Sequence, residues 1–195
     1  MIARLSGKIA SYFVFHGIID KDDEEVYEYS LEVLISTVLS LIVLLVLALA
    51  TGTFFYTTLF LLGFIPLRLN AGGYHAKDHL RCFIVLMFTY TAFLLLMHML
   101  PYVYMTTVAA SSAMLSVIAV FLLAPSEDSN KPLSADEMIP LKKRSRIVIV
   151  GYAVVVCLLS LFVPETKYAF SLALGNLTVA LSLFANYLKN KLGKR

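Results

Sequence analysis

Between two long apolar runs, the segment Arg68-Leu69-Asn70-Ala71-Gly72-Gly73-Tyr74-His75-Ala76-Lys77-Asp78-His79-Leu80-Arg81-Cys82 gathers two histidines, a cysteine, an aspartate and three cations. A cysteine acts as a nucleophile through its thiolate. A free thiol titrates near about 8.5, and nearby cations, an imidazolium or a helix N-terminus lower that value. Cys82 has Arg81 and Lys77 close in sequence, two histidines upstream, and a place at the start of an apolar run. An imidazole can hold the thiol proton and later deliver it to a leaving amine. Residues three apart on a helix are neighbours, so His79 reaches Cys82 directly. His75 is seven residues away, about 10 Å further along a helix axis. It can act only if the chain bends back, which Gly72-Gly73 permits. Local geometry therefore favours His79 slightly and leaves His75 open. His75, His79 and Cys82 are also zinc-type ligands. A metal site built on them is the alternative to thiol chemistry, with its fourth ligand unassigned and Asp78 a weak option.

The elements that position this segment are set by composition. Of 195 residues, 59% are hydrophobic and 15% charged, against about 25% charged in a soluble domain. A soluble core of this size cannot hide so much apolar surface, so lipid is the solvent for much of it. The runs at 33–50, 54–69, 83–100, 105–124, 147–163 and 168–188 predict six transmembrane helices. A helix needs about 20 residues to cross the hydrocarbon, so the second, short run needs its flanks. Residues 1–30 hold an amphipathic helix and a connector. Ile2, Leu5, Ile9, Tyr12, Phe13 and His16 fall near one face, with Arg4, Lys8 and Ser11 on the other. That helix is expected in the headgroup region, with packing on the protein itself as an equal alternative. The N-terminus lacks a cleavage pattern and is expected to be retained. Two cysteines are too few for a disulfide framework, and Cys157, mid-span, is expected to be a small apolar packer.

The basic residues orient the chain. With six spans and both termini cytoplasmic, 15 of the 16 lysines and arginines fall on the inner side, and only Lys167 lies outside. Two inner loops result, at 68–82 and 125–146, and the second ends in Lys142-Lys143-Arg144-Ser145-Arg146. The spans carry almost no charge, which argues against a small transporter or channel. His16 and His98 fall at interfaces and read as anchors. Nothing reads as a nucleic-acid surface.

Arg68, Gly72-Gly73-Tyr74-His75 and Cys82 resemble the signature of the AgrB family, the membrane peptidases of accessory-gene-regulator quorum sensing. Ala124-Pro125 and Lys131-Pro132 resemble it too, and length, span count and the amphipathic N-terminus fit, so the likeness covers nearly the whole chain. The resemblance implies an all-α polytopic protein of the bacterial cell membrane with its active site on the cytoplasmic side. It assigns His75 and Cys82 as the catalytic pair, with His79 in support. It implies a cysteine endopeptidase that removes the C-terminal tail of an AgrD-like precursor peptide. The remainder stays on Cys82 as a thioester, and a substrate cysteine then closes a thiolactone ring. No cofactor and no metal are implied. Backbone N–H groups at Gly72 and Gly73, or the Arg68 guanidinium, are candidate oxyanion donors. Lys131, Lys142, Lys143, Arg144 and Arg146 are candidates for the acidic tail, although basic loops also set topology and touch anionic lipid. Membrane lipid and a second copy of the chain are the other candidate partners.

Overall fold

The computed structural model describes residues 2–74, 79–126 and 135–192. They form α1 (Ile2–Phe15), a 3-10 turn at Lys21–Asp23, α2 (Glu24–Ala50), α3 (Phe54–Ala71), α4 (His79–Met99), α5 (Tyr102–Leu123), α6 (Ala135–Phe162) and α7 (Thr166–Leu192). From α2 to α7, each helix is long and apolar enough to cross a membrane. The chain is an all-α multi-pass membrane protein with six spanning helices. Two helices outrun their apolar stretches: α2 starts at Glu24 rather than at 33, and α6 at Ala135 rather than at 147. Hydropathy marks what lipid covers, whereas backbone hydrogen bonding runs on into water. At α2 the carboxylates of Glu24 and Glu25 also suit the positive end of the helix dipole. The cluster Lys142–Arg146, grouped by sequence with a loop, therefore stands on α6.

Helix α1 is too short to span and packs on the protein. It runs antiparallel to the first turns of α2, where the Ser11 hydroxyl donates to Glu24 Oε1 at 2.7 Å. A Cβ on Gly7 would sit 3.0 Å from Glu28 Oε1.

Helix α7 occupies the centre. Of its apolar window, 61% is buried, against 17–33% for the other spans. It packs on both α5 and α3, and glycines set its spacing from α3. A Cβ on Gly175 would lie 2.2 Å from the Phe60 carbonyl oxygen, and one on Gly63 would lie 2.6 Å from that of Leu172. Small residues let helix backbones approach in lipid, where apolar burial alone does not drive helices together. Beside this crossing, Asn176 is fully buried, and its amide atoms have no hydrogen-bond partner among the described residues. One apolar cluster fills the middle of the bundle around Phe60, Tyr90, Phe93, Met105 and Phe170. A second, of Leu67, Ala71, Val120, Ala124, Ile149, Val179 and Leu183, lies under the end that carries the 68–82 segment.

Pro66 lies inside α3. Lacking an N–H, it leaves the carbonyl of Leu62 without its helical donor, and lipid offers no substitute. The Tyr152 hydroxyl of α6 donates to that carbonyl. Tyr152→Phe is expected to lower stability by about 1 kcal/mol, read as a lower thermal midpoint in detergent. Adding Pro66→Ala, which restores the helical donor, should remove most of that loss.

Candidate active site

At the end of α3 the chain reverses. The Gly72 N–H closes the last turn on the Arg68 carbonyl at 3.0 Å, and Gly72 and Gly73 take φ values of 72° and 133°. These are left-handed conformations that only glycine adopts readily. The Arg68 side chain folds back over the turn. Its Nη1 donates to the Gly72 carbonyl and its Nη2 to the Tyr74 carbonyl. Gly73 is buried against this fork, where a Cβ would lie 1.9 Å from Arg68 Nη1. Both terminal nitrogens of Arg68 thus hold carbonyls of the loop itself. The fork clamps the loop onto itself.

The other side of the loop is held by α7. The Tyr74 N–H donates to Ser182 Oγ at 2.9 Å and to the Ser182 carbonyl at 3.0 Å. Lys189 Nζ lies 5.3 Å from the centre of the Tyr74 ring, within cation–π range. The second segment at this end joins in. After the cis Ala124–Pro125 peptide, Ser126 lies beside Gly72 in a single parallel bridge. The Ser126 N–H donates to the Ala71 carbonyl at 2.9 Å. The Asn186 amide donates to Ser126 Oγ at 2.6 Å.

Cys82 stands in the first turn of α4, an exposed free thiol. The buried residues of α4, Tyr90, Phe93 and Met97, all lie in its far half, where the Tyr90 hydroxyl meets Thr57 Oγ1 at 3.0 Å. Tertiary packing therefore anchors α4 away from Cys82. Near the thiol, Leu80 is 68% and Phe88 76% exposed.

His75 and Lys131 lie outside the described residues, as do Lys77 and Asp78. His79 opens α4, with its side chain outside them. The structure thus brings Arg68, Gly72, Gly73 and Tyr74 together and places Cys82 at the head of the next helix. Lys142, Lys143 and Arg144 are exposed on α6. Arg146 is half-buried, and its Nη2 donates to the Phe121 carbonyl at 3.1 Å while its guanidinium lies 4.9 Å from the Phe121 ring centre. Arg146 therefore closes the last turn of α5. Cys157 is exposed on the outside of α6 rather than packed in the core. His16 and His98 each bond a backbone carbonyl one turn back, at 2.9 Å.

Sequence reasoning missed Ser126, Ser182 and Asn186. The signal was available in α7, where Ser182 and Asn186 interrupt an apolar span and Asn186 is 1% exposed. Polar side chains inside a span face protein rather than lipid.

No solved structure matches the chain. The accessory gene regulator protein B of Staphylococcus aureus (strain bovine RF122 / ET3-1) is 25% identical over 155 residues, which cover 78% of each chain. The family model of accessory gene regulator B matches residues 6–184. With the clamped Gly-Gly turn and the helix-head cysteine inside that match, the chain belongs to the accessory gene regulator B family.

Proposed function

We propose that the chain is a cysteine endopeptidase of the bacterial cell membrane. It removes the C-terminal tail of an AgrD-like precursor on the cytoplasmic side and closes the remainder into a thiolactone. The observation that carries this is the double anchorage of Tyr74, by Arg68 and by Ser182. His75 follows Tyr74 directly, and Cys82 waits exposed in the next helix's first turn. A clamp of this kind makes sense where the next side chain must meet a partner with little positional freedom.

The Cys82 thiolate attacks the carbonyl carbon of the scissile bond. The C–N bond breaks, and imidazolium His75 gives its proton to the leaving amine of the tail. The N-terminal part is left as a thioester on Cys82. A cysteine of the precursor loses its proton to His75 and attacks that thioester, and Cys82 departs as a thiolate with the pair restored. One thioester replaces another, so the closure is close to neutral in free energy.

The test is mass spectrometry of the full-length protein after incubation with the precursor. The expected product is an adduct on Cys82 with the mass of the N-terminal fragment. Processing without such an adduct, or stoichiometric zinc with activity abolished by chelation, would move the assignment to the metal alternative at His75, His79 and Cys82.

The exposed cations Lys142, Lys143 and Arg144 fit an acidic tail by charge. Changing all three to glutamine is expected to weaken precursor binding roughly tenfold at low ionic strength and to flatten its salt dependence. An unchanged salt slope would return these residues to topology alone.

A further inference from the structure

Three segments that are remote in sequence meet at the C-terminal half of α7. Ser182 receives the Tyr74 N–H on both its hydroxyl and its carbonyl oxygen. One turn later, Asn186 holds Ser126, whose own N–H holds Ala71. The two hydrogen-bonded paths from α7 thus arrive on either side of Gly72 and Gly73, the residues that turn the chain toward His75. The Arg68 fork holds the Gly72 and Tyr74 carbonyls and so shapes the turn. The bonds from Ser182 and Asn186 tie that turn to α7 and so to the bundle.

We propose that Ser182 and Asn186 are positioning residues for the peptidase, α7 fixing the backbone at Tyr74 and through it the approach of His75 to Cys82. This rests on the pairing of His75 with Cys82 proposed above. A hydroxyl acceptor at position 182 keeps the Tyr74 amide in place, and Asn186 keeps Ser126 and Ala71 from sliding. Ser182 has the larger role, because its bond lies one residue from the histidine.

The experiment follows the rate of alkylation of Cys82 by iodoacetamide from pH 5 to pH 9. It uses the full-length protein in detergent and reads the Cys82 peptide by mass spectrometry. A thiol paired with an imidazolium reacts well below its free titration range. His75→Ala is expected to lower the rate at pH 6 at least tenfold and leave the rate at pH 9 unchanged. Ser182→Ala should do the same to a lesser degree, Ser182→Thr should keep the wild-type profile, and Asn186→Leu should fall between. Ser182→Ala added to His75→Ala should bring no further change, as two steps on one path require. The rate at pH 9 reports folding and access, so a collapsed variant is recognised by its loss there, and Asn186→Leu then carries the test. If His75→Ala flattens the profile and neither α7 variant alters it, α7 has no positioning role. If His75→Ala itself leaves the profile unchanged, the pairing falls, and the role of α7 in it falls too.

Discussion

Replacing Cys82 with serine is expected to lower precursor processing by at least about 10⁴-fold while leaving the fold and the thermal midpoint unchanged. The side chain is exposed, so the change from sulfur to oxygen creates no cavity and buries no new polar group. The chemical loss has two parts. A serine hydroxyl is barely ionised at neutral pH and is a far weaker nucleophile than a thiol. An oxygen-ester intermediate is also more stable than a thioester, so ring closure by the substrate's thiol would run uphill. Removing a covalent nucleophile typically erases most of an enzyme's rate advantage. Residual processing above about a tenth of wild type would mean that the sulfur is not the attacking atom. Cys157→Ser serves as the companion measurement. That thiol lies on the outer face of α6, and its loss should leave turnover unaltered.

Gly73→Ala is the second change expected to have a large effect, and it acts without touching a reacting atom. The new methyl would lie 1.9 Å from Arg68 Nη1 and 2.6 Å from Ser182 Oγ, on a backbone with φ of 133°. Both anchors of Tyr74 must then give way together. Displacements of about 1 Å at a positioning element can cost about 10²-fold in rate, and a loss of at least that size is expected in processing. Cys82 should remain alkylatable at pH 9, which separates a mispositioned site from an unfolded chain. Arg68→Lys and Arg68→Gln grade the same effect. Lysine keeps the charge but not the planar fork that reaches the Gly72 and Tyr74 carbonyls at once; glutamine loses both. Turnover should fall from wild type to Arg68→Lys to Arg68→Gln. Wild-type turnover in both would deny Arg68 any part in the site.

What the sequence made legible and what it concealed follow from how each signal arises. The six spanning helices were readable because lipid imposes one requirement, a long apolar run, and each span satisfies it within its own residues. The helical starts of α2 and α6 were not, since charged residues such as Glu24 and Lys142 look the same in an exposed helix and in a loop. Gly72 and Gly73 stood out as a pair able to turn the chain, and the structure uses both in left-handed conformations. The hold of Arg68 on its own loop was hidden, because a guanidinium aimed at its own loop and one aimed at a substrate have the same sequence. The contacts of Ser182 and Asn186 were hidden for another reason. Their partners Tyr74 and Ser126 lie 108 and 60 positions away in the chain, and no local pattern links residues so far apart. Asn176 has no physical account: it is wholly buried at the α3–α7 crossing, and among the described residues no hydrogen bond explains its presence.

The separation of 108 positions between Tyr74 and Ser182 also sets an order of events during synthesis. At about 5–20 residues per second, a ribosome needs roughly 5–20 s to travel from one to the other. For most of that interval the histidine, the cysteine and the arginine already exist, but α7 has yet to enter the bilayer. On the function proposed above, the site of a nascent chain would stay incomplete until its final helix packs into the middle of the others. Insertion of that helix would then double as the activation step.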